Sequence, residues 1–328
     1  MATLNANYQT LVDLGKQMQG HDDIQTVIEL LAQFNPIIED APAEVCNQRT
    51  QHLTTVRTGL PAVTWRKLYQ GVQPTKSTTM QVTDSVGMLE AWSEVDAKLV
   101  EIAPDPAKFR MNESTAFLEA MANEMATGLF YHDTATDPEK FMGLAPRFNL
   151  LSAMNGDQII DAGGTGSDNT SIWFIVWGPM TCHLLYPSGS TAGVKRKDLG
   201  IETKENSDGS LYEVARDKFN WDIGLSVRDW RYVARVANLD VSLMAAGSVD
   251  VEDFMIDAYY QLQQRFHGMG KLVIYCNTNV KKALHKLAKD QANVNLTLSN
   301  FEGQEIVKFL GAPIHECEAL LNTESRVV

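Results

Sequence analysis

The hydrophobic and polar positions divide the chain into stretches of different period. From Asp105 to Tyr131 the period is helical. At about 100° per residue, Met111, Leu118, Met121, Ala122, Met125 and Leu129 fall on one stripe about 100° wide. Phe109, Ala116, Ala120 and Tyr131 make a second, weaker strip, with Asn112, Glu119 and Asn123 to one side and Glu113 and Glu124 on the other edge. Asp105 can cap the start, and Pro106 suits the first helical position, where no amide donor is needed. About 27 residues at about 1.5 Å each give a rod of roughly 40 Å. The usual helix has only about 11–12 residues.

Two stretches ahead of this helix lack an apolar face of their own. Residues 1–51 read as an extended arm with one short helix, starting at Asp22 or Asp23, carrying Ile24, Val27, Ile28 and Leu31, and stopping before Asn35 and Pro36. Such a helix cannot bury its face alone, so the arm must dock on something. Residues 52–84 read as a polar hairpin. Val63, Trp65, Lys67 and Tyr69 alternate with Thr64, Arg66 and Leu68, Gln70 to Lys76 supplies turn chemistry, and Thr78 to Thr83 returns with Met80 and Val82 on one face. A two-stranded ribbon is marginal by itself. It is therefore expected to lie against another subunit, the plainer alternative being an edge hairpin of a single domain. Residues 86–103 read as strand and turn, and Asp133 to Asn149 as a connection between domains.

From residue 158 the pattern becomes α/β. Ile172 to Trp177 is a continuous apolar run, as in a strand covered on both faces. Cys182 to Tyr186 predicts a second strand, and Pro187 to Gly200 a loop rich in Gly and Lys. Phe219, Trp221, Ile223, Leu225 and Val227 alternate strictly with Asn220, Asp222, Gly224, Ser226 and Arg228, and Trp230 to Leu239 is read as the partner of that strand. Val249 to Phe266 predicts a helix and Lys271 to Cys276 a buried strand. Asn277 or Thr278 caps a helix ending near Lys289, and Ile306 to Ile314 closes the pattern.

Composition narrows the chemistry. The 328 residues are 44% hydrophobic and 21% charged, enough for one large or two modest cores. A net charge of −13 argues against phosphate binding by the whole molecule. Four cysteines, Cys46, Cys182, Cys276 and Cys317, form no CxxC pair, and reduced cytoplasmic thiols are expected. Neither a signal peptide nor a run of about 18 apolar residues is present, so no membrane is expected. The loop Gly163 to Asn169 fails as a dinucleotide fingerprint, because Asn169 stands where the third glycine belongs and no helix follows. Gly268 to Leu272 fails as a P-loop, and Gly189 to Gly193 as a nucleophile elbow. Cys182 and His183 are adjacent on a strand and so point to opposite faces. Catalytic residues, cofactor and metal are therefore all read as none. Lys281, Lys282, His285, Lys286 and Lys289 read as a solvated helix face in preference to a phosphate or partner patch. Arg228, Arg231 and Arg235, lying among Trp221, Trp230 and Tyr232, read equally as an interface or an ordinary sheet surface.

The order of the pieces resembles the major capsid proteins of tailed bacteriophages, with the α+β Hong Kong 97-type fold. The resemblance rests on the hairpin at 52–84, on the long helix beginning Asp105-Pro106-Ala107-Lys108, and on the strand–helix unit Leu272 to Lys289. It also includes the Gly311-Ala312-Pro313-Ile314 strand. It implies an N-arm (1–51), an E-loop hairpin (52–84), a P-domain (85–155) with a spine helix (105–131), and an A-domain (156–314). Residues 315–328 would return to the P-domain. The implied function is a coat protein, built into hexamers and pentamers of an icosahedral head around double-stranded DNA held without sequence specificity. It would be assembled in the host cytoplasm and found in the virion. The shortness of 1–50 implies a separate scaffolding protein. A portal and decoration proteins are further implied partners. Trp65, Arg66, Lys67, Tyr69 and Lys76 of the E-loop, with Arg228, Arg231 and Arg235 of the A-domain, are the expected intersubunit contacts. An encapsulin-type compartment is the nearer alternative. A soluble α/β enzyme, with loops 163–169 and 187–200 flanking a pocket, is the other.

Overall fold

The structure is a computed structural model that describes residues 9–18, 33, 35–266, 270–288, 296–301 and 304–328. The helix expected between Asp22 and Leu31 lies outside these residues, as does Lys289. In chain order the elements are α1 (Leu11–Gln17), α2 (Ile37–Asp40), β1 (Ala43–Val45), β2 (Gln51–Gly59), β3 (Thr78–Asp96), α3 (Ala97–Ile102) and α4 (Pro106–Tyr131). Then come β4 (Ile159–Asp161), β5 (Asn169–Trp177), β6 (Cys182–Tyr186), β7 (Lys195–Glu205), β8 (Leu211–Val227), β9 (Val233–Asp240), α5 (Val241–Ala245) and α6 (Val251–Phe266). The last are β10 (Lys271–Cys276), α7 (Thr278–Ala288), β11 (Leu296–Phe301), β12 (Gln304–Phe309) and β13 (Ala312–Glu316). They form two compact units, each assembled from separated stretches of sequence.

The first unit comprises Met1–Phe34, Met88–Thr127 and Ala192–Asp222. Its axis is α4. Asp105 accepts a hydrogen bond from Lys108 N at 3.0 Å and so caps the helix as its sequence requires. The expected stripe is only half buried. Met121, Met125 and Leu129 are inside, whereas Met111 is 65% and Leu118 40% exposed. Phe109 joins Leu14, Val95, Leu99 and Ala103 in a small core. The stretch 187–200, expected to be a loop, is half strand. Lys195 to Glu205 pairs antiparallel with β8 through a turn at Asn206–Gly209. Charge concealed this strand, because its side chains are neutralised across the sheet. Arg216 pairs with Glu94 and Glu202, Lys204 with Glu94, and Lys218 with Glu90 at 2.8 Å. Lys218 also lies 5.0 Å from the Trp92 ring centroid. On the other face Phe219 stacks on Phe117 of α4, and Arg110 bridges Asp198 and Asp217 at 2.9 Å each.

The second unit comprises Asn35–Gly87, Gly128–Thr191 and Ile223–Val328. Every residue of β5 is buried. Ile172, Phe174 and Val176 face a core completed by Met255, Ala258 and Leu262 of α6 and by Val280 and Leu284 of α7. Trp173 turns the other way, toward Phe130 and Phe148, at centroid distances of 6.2 and 6.0 Å. The period-two alternation of a strand thus divides one apolar run between two roofs. β10 and β9 pair antiparallel on either side of β5. Residues 233–240 therefore partner β5 and β4, not β8 as the sequence suggested, because β8 is occupied by β6. Asn277 caps α7 by accepting from Val280 N at 3.0 Å.

A buried ionic network closes the second roof. The Arg235 guanidinium donates to Glu324 at 2.8 Å, to Phe148 O at 2.7 Å and to Ser171 Oγ at 3.0 Å, and lies 4.9 Å from the Trp173 ring centroid. Tyr131 and Ser171 both donate to the Glu324 carboxylate. The chain end is held further by Val327 N donating to Asn238 Oδ1 and by Leu151 N donating to Val328 O.

Residues 35–46, expected to be part of an arm reaching a neighbour, are folded into their own lobe. Ile37 is fully buried, β1 pairs parallel with β6, and Asn35 Oδ1 accepts from Ala319 N at 3.0 Å. Asp40 receives hydrogen bonds from Tyr275 and Lys271 at 2.9 Å and from His315 Nδ1 at 2.6 Å. Burial pushes the Asp40 carboxyl up, and these three donors outweigh it, leaving its pKa at about 2. One buried polar side chain on the right number of partners explains why this stretch carries no apolar period.

The hairpin is rooted as firmly. Asp84 of β3 is buried, pairs with Arg147 at 2.8 Å and accepts from Ser226 Oγ at 2.9 Å. Directly across from it on β2, His52 lies edge-on to His183 of β6 at 5.6 Å, and Arg228 Nη2 is 2.8 Å from His52 Nε2. His183 is fully buried. Burial, then the Arg228 charge, then His52, hold its pKa down at about 4.

Two outcomes follow. Glu324→Ala strands the buried Arg235 and is expected to lower the unfolding free energy by about 3–5 kcal/mol in denaturant titration; a loss below about 1 kcal/mol would mean the pair is not needed. His183 binds its proton in the unfolded chain near its ordinary pKa of 6.5 but in the fold only near 4. Its contribution is therefore complete above about pH 6.5 and lost as pH falls toward about 4. The melting temperature should drop across that window, and the drop should be smaller in His183→Phe.

Candidate intersubunit surface

Between β2 and β3 the chain leaves the lobe. Residues 60–77 contain no strand, although alternation at Val63 to Tyr69 suggested one. The ladder runs instead from Gln51 with Ser85 to Gly59 with Thr78, so the first strand lies ahead of Val63–Tyr69 while the returning strand contains the expected Thr78–Thr83. The reason is local. No second strand offers itself to Val63–Tyr69, and an alternating pattern without a partner ladder has nothing to fix it as β. The expected turn at Gln70–Lys76 is also displaced. It closes at Lys67–Gln70, where Gln70 N donates to Lys67 O at 3.2 Å and Arg66 Nε to Gln70 O at 3.2 Å. Tyr69 takes a positive φ of 65°, a conformation uncommon outside glycine. Farther down, Thr75 Oγ1 donates to Ala62 O at 2.8 Å and holds the two arms of the loop together.

The loop is apolar and uncovered. Leu60, Val63, Trp65, Leu68 and Tyr69 are between 81% and 102% exposed. Large side chains this bare are not normal on a monomer surface when five of them adjoin. Arg66, Lys67 and Lys76 lie among them, also exposed. At the root is a cleft of about 330 Å³ whose lining includes Val56, Met80, Phe148, Met154 and Trp230.

The expected contact residues fall into three groups. Trp65, Arg66, Lys67, Tyr69 and Lys76 all lie on the exposed loop. Arg228 and Arg231 line the root cleft. Arg228 donates to Pro179 O at 2.9 Å and reaches His52, while Arg231 is held by Asp229 two residues away, at 2.6 Å. Arg235 is a correction. It is 3% exposed and paired with Glu324 inside the lobe, so it presents nothing to a neighbour. Its position on β9 puts it on the roofed side of β5, which the sequence could not reveal while β9 was matched to the wrong strand. The reading of the sequence missed Asp84, Arg147 and His52, which root the hairpin. Their partners are 63 and more residues away, and single polar residues within a strand give no periodic signal.

Among the described residues no three Asp, Glu, His or Cys side chains converge to hold a metal ion, and no helix is long and apolar enough to cross a membrane. All four cysteines are buried. Gly164, in the glycine-rich loop, packs so closely on β9 that an added Cβ would lie 2.4 Å from Asn238 O. Its glycine is explained by that approach rather than by a bound phosphate.

A search of curated proteins finds no match. The family model described as major capsid protein GP7 matches residues 19–328. Among solved structures, a chain of the near-atomic-resolution structure of bacteriophage Epsilon15 is 39% identical. The match covers 100% of this chain and 99% of that chain, with a TM-score of 0.80. The capsid of Myoviridae phage XM1 is 9% identical over 69% of this chain and 98% of that chain, with a TM-score of 0.43. The bacteriophage JBD30 capsid is 8% identical over 88% and 92%, also at 0.43. Neither of those two scores bears on the assignment. With an uncovered apolar loop on a rooted hairpin, a full-length relative in a phage particle and a family model over nearly the whole chain, the chain belongs to the GP7 major capsid protein family and is a structural coat protein of a tailed bacteriophage with the Hong Kong 97-type fold.

Proposed function

We propose that this coat protein forms hexamers and pentamers of an icosahedral head enclosing double-stranded DNA, and that the loop 60–77 lies over a neighbouring copy. The observation that carries the reading is the loop itself. Its five large apolar side chains have no cover among the described residues, while its root is fixed by the buried Asp84–Arg147 pair. A rigid stem with a bare apolar tip gains free energy by burying that tip elsewhere, at roughly 25 cal/mol per Å² of apolar surface. In a closed shell every copy both gives and receives such a tip, so the contact is heterologous and must close into rings.

Within this reading residues 1–51 act as the N-arm, 52–84 as the E-loop, 85–155 as the P-domain around the spine helix 105–131, and 156–314 as the A-domain, with 315–328 returning. Part of the arm serves its own chain: residues 35–46 fold into their lobe and Leu14 of α1 packs with Phe109. Arg228 and Arg231 at the root cleft are further contact residues. A scaffolding protein, a portal and decoration proteins complete the partners. DNA is held without sequence specificity, as suits a net charge of −13. Assembly takes place in the host cytoplasm, and the product is the virion shell.

Replacing residues 61–76 with a short Gly-Ser turn tests the reading. The variant should remain folded, with an unchanged circular-dichroism melt, because the excised side chains touch no core. It should yield no shells by negative-stain microscopy of the expressed protein. Shells of normal size from this variant would sink the proposal.

A further inference from the structure

The two strands of the hairpin are held to the lobe unequally. β3 buries Asp84, Gly87, Ser93 and Val95, whereas the single buried side chain of β2 is His52. Apart from its ladder with β3, two contacts near its start hold β2. Asn47 exchanges two hydrogen bonds of 2.8 Å with the Leu53 backbone, and His52 meets Arg228. Arg228 carries the second tie onward. Its Nη1 donates to Pro179 O at 2.9 Å, so one guanidinium spans from β2 to the turn between β5 and β6. Past that turn, His183 packs edge-on to His52 and is hydrogen-bonded by the Gly178 backbone.

The contact itself fixes the state of His52. A guanidinium has N–H donors and no acceptor. His52 Nε2, at 2.8 Å from Arg228 Nη2, must therefore offer its lone pair, which leaves the ring proton on Nδ1. A second ring proton would set N–H against N–H and one positive charge against another, where His52 is only 3% exposed. Nearby carboxylates do not remove the conflict. Asp84, across the ladder, is already paired with Arg147, Asp229 is paired with Arg231, and Glu44 of β1 acts through its charge alone. Burial, then the Arg228 charge, outweigh Asp84 and Glu44, so His52 takes up its proton below the ordinary value of 6.5.

We propose that His52 and Arg228 form an acid-releasable catch, which near neutral pH ties the first strand of the hairpin to the turn between β5 and β6 and which opens when His52 is protonated. Opening leaves Asp84 with Arg147 and Ser226 in place, so the hairpin stays rooted through β3 and gains freedom in β2. The catch works wherever the tip docks. Because the fold favours neutral His52, the tie is complete above about pH 6.5 and is lost as pH falls through the depressed value. His183 adds a second charge further down, near 4.

The test follows backbone hydrogen exchange of the full-length protein by mass spectrometry from about pH 7.5 to about pH 4.5, each rate divided by the intrinsic rate at that pH. Peptides covering 51–59 should lose at least about tenfold in protection toward the acid end, while those covering 172–177 keep theirs. Two variants should flatten this response at opposite levels. His52→Gln keeps an acceptor for Arg228 and cannot take up the proton, so 51–59 should stay protected throughout. Arg228→Ala removes the tie, so 51–59 should be poorly protected already at the neutral end and change little with acid. Arg228→Ala retains Asp84, Glu44 and both histidines, so an acid response of full size persisting in it would assign the effect to those groups and overturn the proposal, even where His52→Gln fails to fold. An equal acid loss in a folded His52→Gln, no acid loss in the unaltered chain, or simultaneous loss at 172–177, which marks global unfolding, would each overturn it as well.

Discussion

A strand with no polar face must be covered twice, and most of the larger unit follows from that constraint on β5. Helices α6 and α7 cover Ile172, Phe174 and Val176 on one side. On the other, Trp173 needs a roof as well, and Phe130 and Phe148 provide it from two separate stretches of chain. The remaining gap is filled by the Arg235 guanidinium over the indole. A buried guanidinium demands a carboxylate and acceptors for its other hydrogens, because desolvation without a partner is severe. Glu324, Ser171 and Phe148 O meet that demand. Glu324 lies four residues from the chain end, so the need of one arginine fixes where the C-terminal segment runs.

The same logic, reversed, accounts for the hairpin. Its root is over-determined: Asp84 with Arg147 and Ser226, the His52–His183 edge contact, and a backbone approach so tight that a Cβ on Gly224 would lie 2.6 Å from Ser85 O. Its tip is under-determined, with apolar side chains and no ladder. A structural protein that assembles from identical copies needs both properties in one element. The rigid stem fixes where the tip is presented, and cutting conformational freedom before contact lowers the entropy lost on contact. The bare tip retains apolar surface whose burial, in the proposed contact, would favour the neighbour over the free state.

Charge is disposed in two ways. On β3, β7 and β8 it is matched across the sheet, Glu90, Glu94 and Glu202 pairing with Lys218, Lys204 and Arg216. At the tip of the hairpin, Arg66, Lys67 and Lys76 have no carboxylate partner among the described residues.

The sequence by itself determined the pieces whose period is strong. The long helix with its Asp105 cap, the doubly buried run Ile172–Trp177, the strand Lys271–Cys276 and the Asn277-capped helix after it are all where their patterns put them. Alternation in Phe219–Val227 was legible because one of its faces is buried. The hairpin at 52–84 was legible as a ribbon without cover of its own, but it read as polar, and only the structure set Leu60, Val63, Trp65, Leu68 and Tyr69 bare at its tip. Tertiary structure decided what local pattern cannot encode. Strand partnership put β9 beside β5 and so took Arg235 out of the surface. Ion pairing across a sheet turned a charged stretch at 195–205 into a strand. Polar anchoring brought residues 35–46 home through Asp40. Period reports which face of an element is buried, but a hydrogen-bond or ion-pair partner is chosen by proximity in space, and that is fixed only when distant segments meet.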